Sequence, residues 1–395
     1  MSHLKDETLL IKNVRLYQEA GVVEKGYLLL QCSKIIKMGV ESELESITHA
    51  GETIDGEELN AIPGFIDGHI HGANGADMMD ATPEALEKLA QILPAEGTTS
   101  FLATTITQSQ ENIDKALENI ARYKNKPKTS EILGVHLEGP FIEKTKAGAQ
   151  PVEYVIPPSI ELFKKWQKLS GNKIKTITFA PEKDEDRTFL TYLAAQGINV
   201  SAGHTGAGID IMKEVVKLGV NQLTHLCNAM SGLHHRDVGV VGAAFLLEEL
   251  QSELIVDGIH VSPEMVKILY KSIGPSRLSL ITDSVRAKGL APGDYDLGGQ
   301  IVTVDEQQAT LQDGTLAGSM LKMIDAVKNM REFTGASVQE LIEMASSNPA
   351  KQLQLYDRKG SLAVGKDADL LLVDDDLSIH YTICQGKVAY KGEGK

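Results

Sequence analysis

Apolar and polar residues change period along this chain, and the changes divide it. The first 60 residues alternate as β-structure does. Thr8–Tyr17, Gly26–Cys32 and Lys34–Met38 are three such runs, separated by turn residues. The far end looks similar, with Ala368–Asp374 and a turn-broken Ile379–Tyr390. Neither end has enough strands for an independently stable sheet with a buried face. The simplest reading is one small β-sandwich built from both chain termini, residues 1–60 plus 359–395. Between them, strand and helix signals alternate. Strands are expected near 62–67, 99–104, 132–137, 174–179, 197–202, 221–225, 253–256 and 278–282. The pieces between carry helical spacing, as in Pro83–Leu93, where Thr82 is placed to cap and Pro83 to open the helix. Eight such units over 61–358 predict an α/β fold, a (β/α)₈ TIM barrel. A doubly wound sheet is the alternative, but no Gly-rich phosphate loop follows any strand.

Composition narrows the function. The 395 residues suffice for one barrel of about 250 residues plus a smaller unit. A net charge of −15 disfavours a nucleic-acid surface, which needs a basic stripe, but does not forbid an anionic substrate. Cys32, Cys227 and Cys384 are few, scattered and odd in number, and read as reduced thiols of a cytoplasmic protein. Met1–Glu7 lacks the basic and apolar regions of a signal peptide. The apolar run near it, Gly26–Leu30, is too short to cross a bilayer, so no membrane partner is expected. There is no low-complexity tract, and no repeat beyond the strand–helix rhythm.

The chemistry lies where five expected strands end. His69 and His71 close Gly64–His71, and being two apart they project to one face. Glu138 ends Gly134–Glu138 before Gly139-Pro140, where a buried carboxylate needs a partner. His204 follows the small residues Ser201-Ala202-Gly203, His225 ends Gln222–His225, and Asp283 ends Leu278–Thr282. Each has a bland alternative as a loop histidine or a capping carboxylate. Five such strand ends in one chain are hard to credit to chance. Imidazole and carboxylate are the ligands of a catalytic divalent metal, and barrel enzymes place their chemistry at this rim. His136 shares a face with Glu138 one layer deeper and reads as a core or supporting histidine. His234-His235-Arg236 is a basic loop suited to phosphate, or simply solvated. His260, just before the helix start Ser262-Pro263-Glu264, contacts substrate or caps that helix.

These residues also carry a resemblance. Pro63–His71 and Gly360–Leu370 are similar to the amidohydrolase superfamily. His136–Phe141, Ser201–Thr205, Thr224–Met230, Asp257–His260 and Leu316–Ser319 together resemble bacterial N-acetylglucosamine-6-phosphate deacetylases, over essentially the whole chain. The resemblance implies hydrolysis of the acetamide of an amino-sugar phosphate, feeding amino-sugar catabolism and cell-wall sugar recycling. It implies one or two divalent ions per subunit (Zn, Fe, Mn or Co), held by Glu138, His204 and His225, with His69 and His71 offering a second place and Glu138 bridging. It makes Asp283 the catalytic acid/base. It assigns Asn228, Ala229, Arg236 and His260 to the sugar phosphate, with Arg236 reaching across a homodimer. Some relatives carry a His after the Gly-Ala step that follows Glu-Gly-Pro. Here Gln150 stands there. Its amide still donates a hydrogen bond to substrate, but the carbonyl then depends more on metal, which favours the two-ion version.

Two rivals remain at this stage. The same scaffold serves cyclic-amide hydrolases, deaminases and N-acyl-amino-acid deacylases. Many of those use a carboxylated lysine, and no Lys stands at the tip of the strand ending in Glu138. A non-catalytic oligomeric barrel is the other, and it would have no reason to keep the full ligand set.

Overall fold

The computed structural model describes residues 8–46, 49 and 51–392. The segment Met1–Glu7, read above for targeting signals, lies outside the described residues. β1 (Thr8–Gln18) organises the small sheet. One edge pairs antiparallel with β2 (Gly21–Gln31), which pairs with β3 (Lys34–Val40). The other edge forks, its first half running parallel to β4 (Glu52–Asp55) and its second half to β5 (Asn60–Pro63). Strict alternation would put Leu9 and Ile11 on one face and Val14 and Leu16 on the other. Register shifts on either side of Val14, with Asn13 at φ 53, return all four to the same core.

Eight strands then follow in sequence order, all parallel. They are β6 (Phe65–Ile70), β7 (Thr98–Thr105), β8 (Glu131–Glu138), β9 (Ile174–Phe179), β10 (Asn199–Ala202), β11 (Val220–Leu223), β12 (Gln251–Ile255) and β13 (Leu278–Ile281). The ends of the series meet where the Asp283 N–H donates to the His69 carbonyl at 2.8 Å, so the eight expected strands form the wall of a (β/α)₈ barrel. The crossovers carry α1 (Pro83–Ile92), α2 (Gln110–Arg122), α3 (Ile160–Leu169), α4 (Thr188–Ala195), α5 (Ile209–Leu218), α6 (Gly239–Leu246) and α7 (Pro263–Ile273). Their starts obey local chemistry. Thr82, Ser109, Ser159 and Ser262 each accept a backbone N–H of the first turn. Ser262, not His260, caps α7. No described helix is long and apolar enough to cross a membrane.

After β13 comes a small antiparallel sheet that the sequence reading did not anticipate. It comprises β14 (Gly293–Leu297), β15 (Gln300–Val304) and β16 (Ala309–Thr310). Gly298 and Gly299 both have positive φ (58 and 84), as a two-residue hairpin turn requires. The Gln300 side chain donates to the Ala149 carbonyl at 2.7 Å, which docks this sheet on the barrel rim. α8 (Met323–Thr334) completes the eighth unit.

The chain returns to the first sheet through β17 (Leu370–Val373), which pairs antiparallel with β5, followed by β18 (Ile379–Cys384) and β19 (Lys387–Lys391). Strands from both chain ends thus share one hydrogen-bonded sheet, and both arms of its fork send apolar side chains into one core. β17 serves two cores by its period of two. Leu370 and Leu372 enter the small one, Leu371 and Val373 the large one.

A buried ionic cluster ties these parts together. Lys359, 3 % exposed, reaches Glu131 at the start of β8 (2.7 Å), Asp367 (3.3 Å) and Asp369. Arg358 bonds Glu131 (2.8 Å) and Asp367, and Lys34 of β3 bonds Asp367 (2.7 Å). Burial alone would lower the Lys359 pKa, but Asp369 and Glu131 outweigh it and hold the ammonium charged.

Candidate metal centre

The barrel strands place the predicted residues around one point at their C-terminal ends. Glu138 ends β8. His204, His225 and Asp283 each stand two residues beyond β10, β11 and β13, and each takes a left-handed backbone (φ 48, 32 and 48). Such φ values cost non-glycine residues about 1–3 kcal/mol each and cluster at functional sites. Here they turn three strand ends inward. Glycine makes the approach possible at Gly203. A Cβ there would stand 2.6 Å from the Thr224 Cβ and 2.7 Å from the Thr178 Cγ2. Gly203→Ala is therefore expected to destabilise the protein by about 1–3 kcal/mol, as overpacking does, and to lower metal content by displacing His204. Thermal unfolding with metal analysis of the same sample checks this, and an unchanged protein would mean that the Thr pair yields.

The distances form two groups that share Glu138. Glu138 Oε1 lies 3.1 Å from His204 Nε2 and 3.2 Å from His225 Nε2, and those two nitrogens are 3.1 Å apart. On the other side, His69 Nε2 and His71 Nε2 are 3.4 Å apart. They lie 3.4 and 3.3 Å from Glu138 oxygens, and 3.4 and 3.2 Å from Asp283 Oδ1. All six residues are buried.

The donor count decides what this arrangement lacks. The His204 Nδ1–H donates to the Lys146 carbonyl (2.9 Å), so its Nε2 offers a lone pair. His69 Nδ1 faces Glu253 Oε2 at 3.1 Å, which likewise leaves its Nε2 as a lone pair. With both rings neutral, those lone pairs point at carboxylate oxygens, acceptor against acceptor, a contact that a metal ion between them or a proton on Nε2 satisfies. The titration shifts agree. Burial raises Asp283, but His69 and His71 outweigh it and bring it to about 2. Burial lowers His71, but Asp283 and Glu138 lift it to about 9. Glu138 is held well below the usual carboxylate range by the surrounding imidazoles, against the effect of burial. Protons could supply the charge, but the spacing also suits an ion. Ligands at about 2.0–2.1 Å from one ion stand roughly 2.9–3.4 Å apart. The residues present therefore fit a divalent metal in either group.

Above the cluster opens a cavity of ≈ 240 Å³. Gln150, Asn228, Ala229 and His260 line one part of it, and Ile106, Val285, Leu297 and Leu316 another. Leu297 comes from the unanticipated small sheet. His260 is held by Asp257 at 2.6 Å; burial lowers its pKa, but Asp257 outweighs this and raises it. Gln150 is firmly placed. Its Oε1 accepts the Thr107 N–H (2.7 Å) and its Nε2 donates to Glu138 Oε2 (2.6 Å). Arg236 does not join this cavity. It is exposed and bonds the neighbouring His235 at 2.8 Å. His136 sits beneath, with Nδ1–H on the Gly68 carbonyl (3.2 Å) and Nε2 on Thr178 Oγ1 (2.7 Å). Burial keeps it neutral, and it supports the wall rather than the ion place.

Sequence reasoning missed Glu253, the Lys146 carbonyl, Thr107 and Asp257. The first had a usable signal, a glutamate inside an otherwise buried parallel strand, which must have a partner. The carbonyl and amide contacts come from backbone, which carries no residue code.

The amidohydrolase family profile matches residues 60–389. A protein of Bacillus subtilis named N-acetylglucosamine-6-phosphate deacetylase is 46 % identical over 388 residues, covering 97 % of this chain and 98 % of the relative. One of Escherichia coli O157:H7 named N-acetylgalactosamine-6-phosphate deacetylase is 35 % identical over 352 residues, covering 89 % and 93 %. A crystal structure of N-acetylglucosamine-6-phosphate deacetylase from Thermotoga maritima superposes with a TM-score of 0.87 at 37 % identity, covering 97 % of this chain and all of that one.

Proposed function

The chain belongs to the amidohydrolase family, and on that premise we propose that its cavity hydrolyses the acetamide of N-acetylglucosamine 6-phosphate to glucosamine 6-phosphate and acetate. The observation that carries this is the ring of acceptor atoms around Glu138 at the cavity floor, which asks for a cation. Glu138, His204 and His225 would hold one divalent ion, and His69 and His71, with Glu138 and Asp283 beside them, would hold a second. An ion there acidifies water and polarises a carbonyl. The rest falls to side chains. Asp283 takes the proton of the attacking water and returns it to the amide nitrogen, which then departs as a neutral amine. Gln150 keeps Glu138 oriented, with Thr107 anchoring its other end. His260, its charged form favoured by Asp257, and Asn228 face the sugar phosphate. Arg236, exposed on its own protomer, serves the cavity of a second copy. Leu233, 55 % exposed in the same loop, favours such a homodimer. Three free cysteines suit the cytoplasm.

The test is acetate release from N-acetylglucosamine 6-phosphate, its galactose epimer and the unphosphorylated sugar, each repeated after chelation and metal add-back. Release that needs both phosphate and metal is expected, with Arg236→Ala raising KM. No release from any of them, by protein shown to contain metal, would move the substrate to cyclic amides or acyl amino acids.

A further inference from the structure

Below the metal centre, a file of amide side chains runs through the barrel. Gln352 Nε2 donates to Asn199 Oδ1 (2.5 Å), Asn199 Nδ2 to Gln222 Oε1 (2.8 Å), and Gln222 Nε2 to Glu253 Oε1 (2.6 Å). Asn199, Gln222 and Glu253 are all buried. The file has a direction. A carboxylate only accepts, so Gln222 must turn its NH₂ to Glu253 and its oxygen to Asn199, and each later link follows. Glu253 ends the file and accepts from the other side as well. Its Oε2 faces His69 Nδ1 at 3.1 Å and the His225 N–H at 3.3 Å.

We infer that Glu253 is a positioning residue. It fixes the proton of His69 on Nδ1 and so aims the Nε2 lone pair at the place shared by His71, Glu138 and Asp283. The inference rests on the metal reading of that site, but not on the substrate. A glutamine at 253 has one oxygen and one NH₂, and neither orientation fits. With its oxygen to His69, its NH₂ meets the NH₂ of Gln222, and the whole file must reverse. With its NH₂ to His69, the ring proton moves to Nε2, into the ligand cluster.

The experiment titrates metal-stripped full-length protein with Zn²⁺ by calorimetry, with no sugar present. The native chain is expected to take up two ions. Glu253→Gln is expected to weaken one of them by about 10–100-fold, the usual effect of removing a partner of a ligand histidine, and to leave the other unchanged. In a His69→Ala background, Glu253→Gln should add nothing. If Glu253→Gln does not fold, Glu253→Asp draws the acceptor one carbon back from His69 Nδ1 and should weaken the same ion. Three results overturn the inference: unaltered binding of both ions, a loss that persists without His69, or a native chain that takes up a single ion. The last would leave the acetamide reaction standing, and a chain that binds two ions but releases no acetate would leave Glu253 in its role.

Discussion

Asp283→Asn lowers kcat for acetate release by about 10²–10⁴-fold, the range for loss of a general acid–base group, with a much smaller change in KM. The substitution keeps the shape of the site because backbone holds this residue. The Asp283 N–H donates to the His69 carbonyl and its carbonyl accepts the Ser319 N–H, both at 2.8 Å. Gly318 allows that approach. A Cβ there would lie 2.5 Å from Val285 Cγ1 and 2.9 Å from the Asp283 carbonyl oxygen. An asparagine thus stands where the aspartate stood, without a base to receive a proton. Since Asp283 Oδ1 also lies 3.2 Å from His71 Nε2, metal content must be measured in the same sample. A fully loaded variant turning over within tenfold of the native rate would take Asp283 out of the proton transfer.

The second large effect is on stability. Lys359→Met removes the cation enclosed by Glu131, Asp367 and Asp369, and leaves Asp369 buried without it. Breaking a buried pair by deleting one partner costs about 3–5 kcal/mol, because the remaining charge is stranded. Arg358 and Lys34 still reach Asp367 but have no bond to Asp369, so they do not rescue it. Chemical denaturation followed by intrinsic fluorescence should show an earlier midpoint. Lys359 lies outside the cavity, so folded variant should keep its KM. A midpoint equivalent to less than about 1 kcal/mol of loss would mean that this cluster contributes little beyond its packing.

The barrel was legible because its strands are short apolar runs with punctuated ends. Seven fall within about two residues of expectation, while the first, expected at 62–67, straddles the break between β5 of the small sheet and β6. The site was legible for the same reason, since Glu138, His204, His225 and Asp283 sit at or just past those ends. What stayed hidden has physical causes. Glu253, Asn199 and Gln222 lie within strands, where a polar residue reads as a solvated position until the barrel closes around it. The small sheet hung on the Gly298-Gly299 turn, a signal that was present and passed over. Lys359 and Asp369, at the two ends of a stretch that read as a family mark and the start of a strand, gave no sign of pairing, because an ion pair between such residues has no period. Arg236 was expected at the phosphate, and within one protomer it is not there.

The paired chain ends have a consequence for how the protein is made. Leu370 pairs with Pro63, about 300 positions away, so that contact closes a very long loop. While a ribosome is still adding the barrel, β5 waits with an open edge, and the core it shares with β1 lacks Leu370, Leu372 and Ile383. The nascent chain must shelter that edge until β17 and β18 emerge, and those strands act as a clasp, fastening an early stretch of the chain to one made about 300 residues later.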